Sequence, residues 1–272
     1  MKIQLKLTIM LVAIAVITAR AQKMVSVQNV GFRAPQTIKI DGVAADWDDS
    51  FQAHNTSVDL FYTIANDDDN LYVIARATEQ DVINRMANGG LSLVINKSGK
   101  KNSKDKIVVT YPLHGSGDAM YFNFRGRKGS AVDTTFHHAD SLMRASNKKL
   151  DKSVKYIALE GIVGLDSTIS VYNENGIKVA GRFNTKLAYT IEMAVPLKIL
   201  GLSATDATKF NYQLVINRAG KANTASFGPM MNADGTPVSA ERQAAFAAAA
   251  ARVQAQVNAT TDCGGEYTLV KK

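Results

Sequence analysis

Alternating polarity constrains this chain more than any other feature. From Tyr189 to Val195, the side chains of Tyr189, Ile191, Met193 and Val195 alternate with Thr190, Glu192 and Ala194. An extended strand places every second side chain on one face, so the segment reads as a strand with a buried side. Val58, Leu60, Tyr62 and Ile64 repeat the pattern, with Asp59 and Thr63 opposite. Leu71, Val73 and Ala75 repeat it again after Asn66-Asp67-Asp68-Asp69-Asn70. Asn and Asp bond their own backbone, so that acidic run reads as a hairpin turn. Further strands are expected at Leu91–Asn96, Lys106–Tyr111, Ala119–Phe124, Tyr156–Gly161, Ile177–Phe183 and Asn211–Asn217. About nine short strands separated by turn signals predict an all-β fold, an antiparallel β-sandwich.

Three helices are expected within it. Glu79 to Asn88 carries Val82, Ile83 and Met86 on one face and stops at Gly89-Gly90. His137 to Lys149 lies in a polar connection. Pro237 to Asn258 is rich in Ala, with Thr236 or Ser239 as N-cap. Its stripe of Phe246, Ala250, Val253 and Val257 is shallow, which predicts a helix lying flat on the sandwich as an accessory and offering a protein-docking surface. A short tail strand is expected at Glu266–Val270, and Lys97–Lys106 reads as a flexible loop.

The N-terminus has the build of an export signal. Lys2 and Lys6 precede an apolar run from Leu7 to Ile17, and Ala19-Arg20-Ala21 is a small-x-small cleavage pattern. The run is shorter than the roughly 20 residues that span a bilayer. Residues 1–21 are therefore expected to be removed, leaving a periplasmic, outer-membrane-associated or secreted chain with no membrane span. The domain plan becomes residues 22–235 as sandwich, 236–258 as accessory helix and 259–272 as tail strand. Losing Lys2, Lys6 and Arg20 lowers the formal charge from +8 to +5. An exported chain with scattered basic residues points away from nucleic acid and towards a solvated basic face or an acidic envelope polymer. The one cysteine, Cys263, excludes an internal disulfide; it reads as a tolerated tail residue or as an intermolecular partner.

Chemistry-bearing motifs are sparse. There is no Gly-x-Ser-x-Gly elbow, Walker loop or His-Glu-x-x-His sequence. Asp67, Asp68 and Asp69 offer oxygens to a structural calcium ion, or simply form a solvated turn. His137-His138-x-Asp140 has zinc-type donors, but adjacent residues rarely ligate one ion. Glu192 has no second carboxylate placed for glycoside hydrolysis, so no catalytic residue is assigned.

The order of several short motifs resembles a known group. Ile40-Asp41-Gly42 and Asp46-Trp47 come first, followed by Asn66-Asp67 and Asn70-Leu71-Tyr72-Val73. Asn173, Gly176-Ile177, Ala180, the run from Tyr189 to Leu197, Phe210-Asn211 and Asn217-Arg218 complete the series. This order is similar to family 9 carbohydrate-binding modules and their DOMON-like relatives, and to exported Bacteroidota proteins carrying such a domain. The resemblance spans about 37–218. It implies an immunoglobulin-like sandwich in which sugar-binding members clamp a ring between two tryptophans. Here Trp47 is the single tryptophan, in the opening motif that packs structurally in the family. Tyr111, Tyr121, Phe124 and Tyr172 are the candidate substitutes, with Glu192 as a structural or groove-lining carboxylate.

Three functions follow as expectations. The first is a non-catalytic module binding a glycan or envelope polymer. DOMON-like kinship offers a second, haem b held by Met120 or Met143 with His114, His137 or His138. The third is an envelope structural or assembly protein that docks through the Ala-rich helix.

Overall fold

Period-two segments become two facing antiparallel sheets in the computed structural model, which describes residues 24–97, 106–114, 120, 122, 136–219, 236–257 and 259–271. The expected signal segment, and with it the cleavage site, lies outside the described residues. The first sheet holds β1 (Ala53–Asn55), β2 (Leu60–Asn66), β3 (Asn70–Ala77), β8 (Lys178–Phe183) and β9 (Tyr189–Pro196), ordered β1-β2-β3-β9-β8. The second holds β4 (Leu91–Asn96), β5 (Ile107–Leu113), β6 (Tyr156–Glu160), β7 (Thr168–Ser170), β10 (Lys209–Ile216) and β11 (Thr261–Thr268), ordered β11-β10-β4-β5-β6-β7. The molecule is an all-β sandwich. Leu60, Tyr62 and Ile64 of β2, with Tyr189, Ile191 and Met193 of β9, meet Leu91, Leu93, Tyr212 and Leu214 of the other sheet in one buried cluster.

Several boundaries differ from the sequence reading for local reasons. β2 starts at Leu60, because Asp59 takes a left-handed φ of 51° that interrupts extension. β1 and β7 span three residues each, too few to show alternation. Of the expected strand Ala119–Phe124, only Met120 and Phe122 are described, and neither is in a strand. Their backbones are held by side-chain amides instead. Asn88 bonds both Met120 N and O at 2.6 Å, and Asn84 bonds both Phe122 N and O at 3.0 Å. The tail strand is longer than expected. β11 pairs residue by residue with β10 from Thr261 to Thr268. Gly264 and Gly265 had masked its pattern.

The helices are α1 (Gln80–Gly89), α2 (Phe136–Ser153), α3 (Leu197–Leu200) and α4 (Ala240–Val257). α1 ends as expected at Gly90, whose φ of 80° suits glycine and whose N–H bonds Met86 O at 3.1 Å. In α4 the described side chains, from 240 to 248, are all exposed, Phe246 included at 53 %. That half of the helix therefore does not lie on the sandwich. No helix among the described residues is long and apolar enough to cross a membrane.

The two open seams of the sandwich are closed differently. At one, Gln28 is 97 % buried, since only 3 % of it is exposed. Its amide bonds both Ile64 N (2.8 Å) and Ile64 O (2.7 Å), standing in for a missing strand. Its backbone binds Tyr62 OH (3.2 Å) and Tyr212 OH (2.8 Å), and those hydroxyls lie 3.0 Å apart across the sheets. At the other seam, α2 covers the edge of β8. Asn147 bonds Phe183 N at 2.8 Å and Phe183 O at 3.0 Å, satisfying an edge that would otherwise template foreign strands.

Candidate functional site

The outward face of the five-stranded sheet carries Ala65 and Ile74, apolar side chains that need a cover. A strap made by residues 32–51 supplies it. Ala34, Ala44 and Trp47 of the strap pack on Ala65 and Ile74, with Phe32, Ile38, Phe51 and Tyr72 around them. Trp47 ends a 3-10 turn, Ala44–Trp47, and meets Tyr72 edge-on at 6.4 Å.

Glu192 of β9 anchors the strap from beneath. It is fully buried. Its Oε1 accepts from Trp47 Nε1 at 2.8 Å, and its Oε2 accepts from Gly42 N at 2.7 Å and Asp41 N at 3.0 Å. Burial raises its pKa above the usual 4.5, and these three donors pull the other way without reversing the shift. Gly42 has a φ of 82°, and a Cβ there would stand 2.8 Å from Arg182 N, so the strap runs almost against β8.

Between the strap and α2 lies a trough of about 1000 Å³. Ile40–Ala45 and Asp49 form one wall, and Met143 and Asn147 of α2 form the other. Arg76, Ala180, Arg182 and Thr190 make the floor, and the turn from Phe183 to Lys186 closes one end. Most of the charges are matched. Arg76 bonds Asp49 at 2.6 Å and Thr190 Oγ1 at 3.0 Å, and Arg182 bonds Asp151 at 2.6 Å. Arg76 also lies 4.9 Å over the Phe51 ring, which begins an aromatic row: Phe51 and Phe61 at 6.0 Å, then Phe61 stacked on His54 at 3.8 Å. Past Ala180 and Arg182 opens a hollow of about 170 Å³ that includes Tyr111, Asp151, Lys155 and Tyr172.

Two of the expected ligand residues thus share one hollow. Tyr172 is 78 % exposed and has the Lys155 ammonium 5.8 Å from its ring. Tyr111 is buried, its hydroxyl beside the Gly181 amide, and burial pushes its pKa up to about 12. Glu192 lies beneath the strap, out of reach of a ligand in the trough. Tyr121 and Phe124 lie outside the described residues.

The acidic turn is closed by its own groups. Asp67 Oδ1 accepts from Asp69 N (2.8 Å) and Asn70 N (2.7 Å), and Oδ2 accepts from Tyr72 OH (2.6 Å). Asp68 pairs with Arg33 at 2.8 Å. Asp68 and Asp69 reach a separate cleft of about 910 Å³ beside Lys198 and Lys271. No group of three or more His, Cys, Asp or Glu among the described residues is arranged to hold a metal ion. The residues considered for haem are dispersed. Met120 is buried in the core, His114 Nε2 lies 2.5 Å from Ala87 O, and Met143 lines the trough. The side chains of His137 and His138 are outside the described set.

Sequence reasoning missed Arg76, Arg182, Phe51 and Phe61. Arg76, Arg182 and Phe61 sit at outward strand positions, where a charged or half-buried residue looks like ordinary solvent exposure, and Phe51 ends the strap, which has no strand periodicity. Phe61 alone carried a signal, as a large aromatic on the polar side of an alternating strand. No family model matches the chain, and no curated protein is detectably similar to it.

Proposed function

We propose that this protein is an exported, non-catalytic binding module, and that its trough holds a glycan or another hydroxyl-rich envelope polymer. The observation that carries this reading is the trough itself. It is about 1000 Å³, at the upper end of ligand-site sizes, and it is built on a rigid sheet between two walls. It interleaves donors (Arg76, Arg182, Lys186) with acceptors (Asp41, Asp49), as a ligand rich in hydroxyls needs. Tyr172, in the hollow past Ala180 and Arg182, offers an exposed ring on which a sugar face can stack. Its carboxylates are engaged in holding structure: Asp49 by Arg76, and Asp41 by Val43 N at 2.8 Å. That arrangement suits binding better than proton transfer. The resemblance to family 9 modules points the same way, with Trp47 and Glu192 as the strap's anchor rather than a sugar clamp.

The test is a glycan array followed by calorimetry on the chain from Gln22, whose N-terminus intact-mass spectrometry of exported protein would establish. Tyr172→Ala and Arg182→Ala should each weaken binding about tenfold or more with the melting temperature held. Binding that both variants leave intact would place the ligand elsewhere, and an array with no signal would overturn the reading. The exposed first half of α4 favours a second role in docking to an envelope protein. Deleting 240–257 should then abolish assembly while leaving glycan binding untouched.

A further inference from the structure

We infer that the trough selects an anionic glycan, one carrying carboxylate or sulfate groups, and that lysines of α2, β8 and the following turn recognise its charge. This rests on the glycan-binding reading above and gives it a substrate class. The argument is one of subtraction. Arg76 is matched by Asp49, Arg182 by Asp151, and Arg144 by Asp140 at 2.8 Å. Of the lysines left without a carboxylate, Lys186 in the end turn lines the trough, and Lys148 and Lys152 of α2 and Lys178 of β8 stand on the elements that border it. All four are exposed, and none has a carboxylate at ion-pair distance among the described residues. The carboxylate left over in the trough wall is Asp41, which already accepts the Val43 amide.

Placement follows from periodicity. Lys148 and Lys152 are four residues apart, so they stack along one side of α2, next to Asn147 and Asp151, which line the trough and hollow. Lys178 is two and four residues from Ala180 and Arg182, so it continues the outward row of the floor. Lysines near the end of α2 also complement the helix dipole, and that would account for Lys148 and Lys152 alone. It does not account for Lys178 on a strand or Lys186 in a turn. On the other sheet Lys106 is matched by Glu160 at 3.3 Å and Lys209 by Glu266 at 2.7 Å, while Lys97 beyond β4 has no carboxylate at ion-pair distance among the described residues. Unmatched lysines also stand elsewhere, Lys198 and Lys271 at the cleft beside Asp68 and Asp69 among them, but four stand in the trough or on the elements that border it. Clustered cations beside a walled trough raise the local concentration of an anionic chain and do so in a salt-dependent way.

The experiment titrates the chain from Gln22 with polygalacturonate (carboxylates), heparin (sulfates) and dextran (uncharged). Expected is binding to one or both polyanions, weakened about tenfold or more between about 50 and about 500 mM NaCl, with dextran much weaker. Lys178→Glu with Lys186→Glu should reduce polyanion binding about tenfold or more at low salt, whereas Lys209→Glu on the other sheet should not. These are exposed positions, and circular dichroism checks that each variant folds. Dextran binding as tight as that of the polyanions would overturn the charge selection and leave the glycan-binding reading standing. Failure to bind any of the three, together with a blank array, would remove both. Equal affinity for random-sequence duplex DNA, or indifference to the lysine reversals, would mean unselective ion exchange and refute the proposal.

Discussion

Replacing Glu192 tests whether the strap is held from beneath as described. In Glu192→Ala, Trp47 Nε1, Gly42 N and Asp41 N lose their acceptor together, in a place where the carboxylate is fully enclosed. A buried donor left without a partner costs about 1–3 kcal/mol, and here three are left together. Water can enter partly once the side chain is gone, so the total expected is about 3–5 kcal/mol rather than the full sum. Glu192→Gln keeps one oxygen but turns an NH₂ group towards the remaining donors, and should cost about 2 kcal/mol. Trp47 is the single tryptophan, so its fluorescence reports on the strap, while circular dichroism reports on the sheets. Urea titration should show fluorescence changing before circular dichroism in the Ala variant and the two coinciding in the wild type. The pH dependence carries a sign. Burial raises the native pKa of Glu192 above its value of 4.5 in the unfolded chain. Its ionisation therefore takes stability away as pH rises through the native pKa, and takes nothing below about 4.5. The wild-type advantage over Glu192→Gln should narrow from pH 4 towards pH 8 by about this effect. An Ala variant with an unchanged urea midpoint would refute the anchoring argument.

Other outcomes follow from burial and pairing. Gln28→Leu leaves Ile64 N and O without partners in a sealed seam and should cost about 2–4 kcal/mol in urea unfolding; a loss below about 0.5 kcal/mol would show that the seam is wet. Cys263 is buried on β11 with its thiol pushed up to about 12 by burial, so a thiol reagent at pH 8 should label it only after denaturation. Rapid labelling of native protein, or a disulfide-linked dimer, would contradict that burial. Phe246→Ala should change the melting free energy by less than about 0.5 kcal/mol, since the ring is half exposed; a larger loss in differential scanning calorimetry would mean that α4 docks.

The all-β class was legible because alternation survives in single strands: Tyr189–Pro196 and Asn70–Ala77 need no partner to be read. The supports were not. Nothing local distinguishes Gln28 from a surface glutamine, because its role depends on Ile64, 36 residues away. Asn84 and Asn88 looked like polar helix positions, yet they hold Met120 and Phe122 where a strand was expected. Glu192 faced opposite the apolar side of its strand, and outward usually means wet. Here the strap makes a second interior, so an outward carboxylate is buried. The site suffered from the same cause. Tyr111 and Tyr172 were chosen as aromatics without a place, and β5, β8 and the turn before β8 bring them to one hollow. Arg76 and Arg182 carried no sequence signal, because a floor exists only when two covers leave a gap.

That gap has a structural origin. The outward face of the five-stranded sheet is too apolar at Ala65 and Ile74 to stay bare, and too polar at Arg76 and Arg182 to be sealed. The strap covers the apolar centre, pulled down by Glu192. The helix α2 covers the exposed edge, tied by Asn147 to Phe183. Neither has reason to extend over the arginines, which would lose water and gain no apolar contact. The trough is what remains between two covers that serve different needs. Its floor is a hydrogen-bonded sheet, and its walls are tied down by the buried Glu192 and the half-buried Asn147, so a ligand entering it would have little protein to order. The wall that sets its width is the strap, and the strap depends on one carboxylate. On the proposed reading, binding and stability are therefore coupled at Glu192, although that residue does not line the trough.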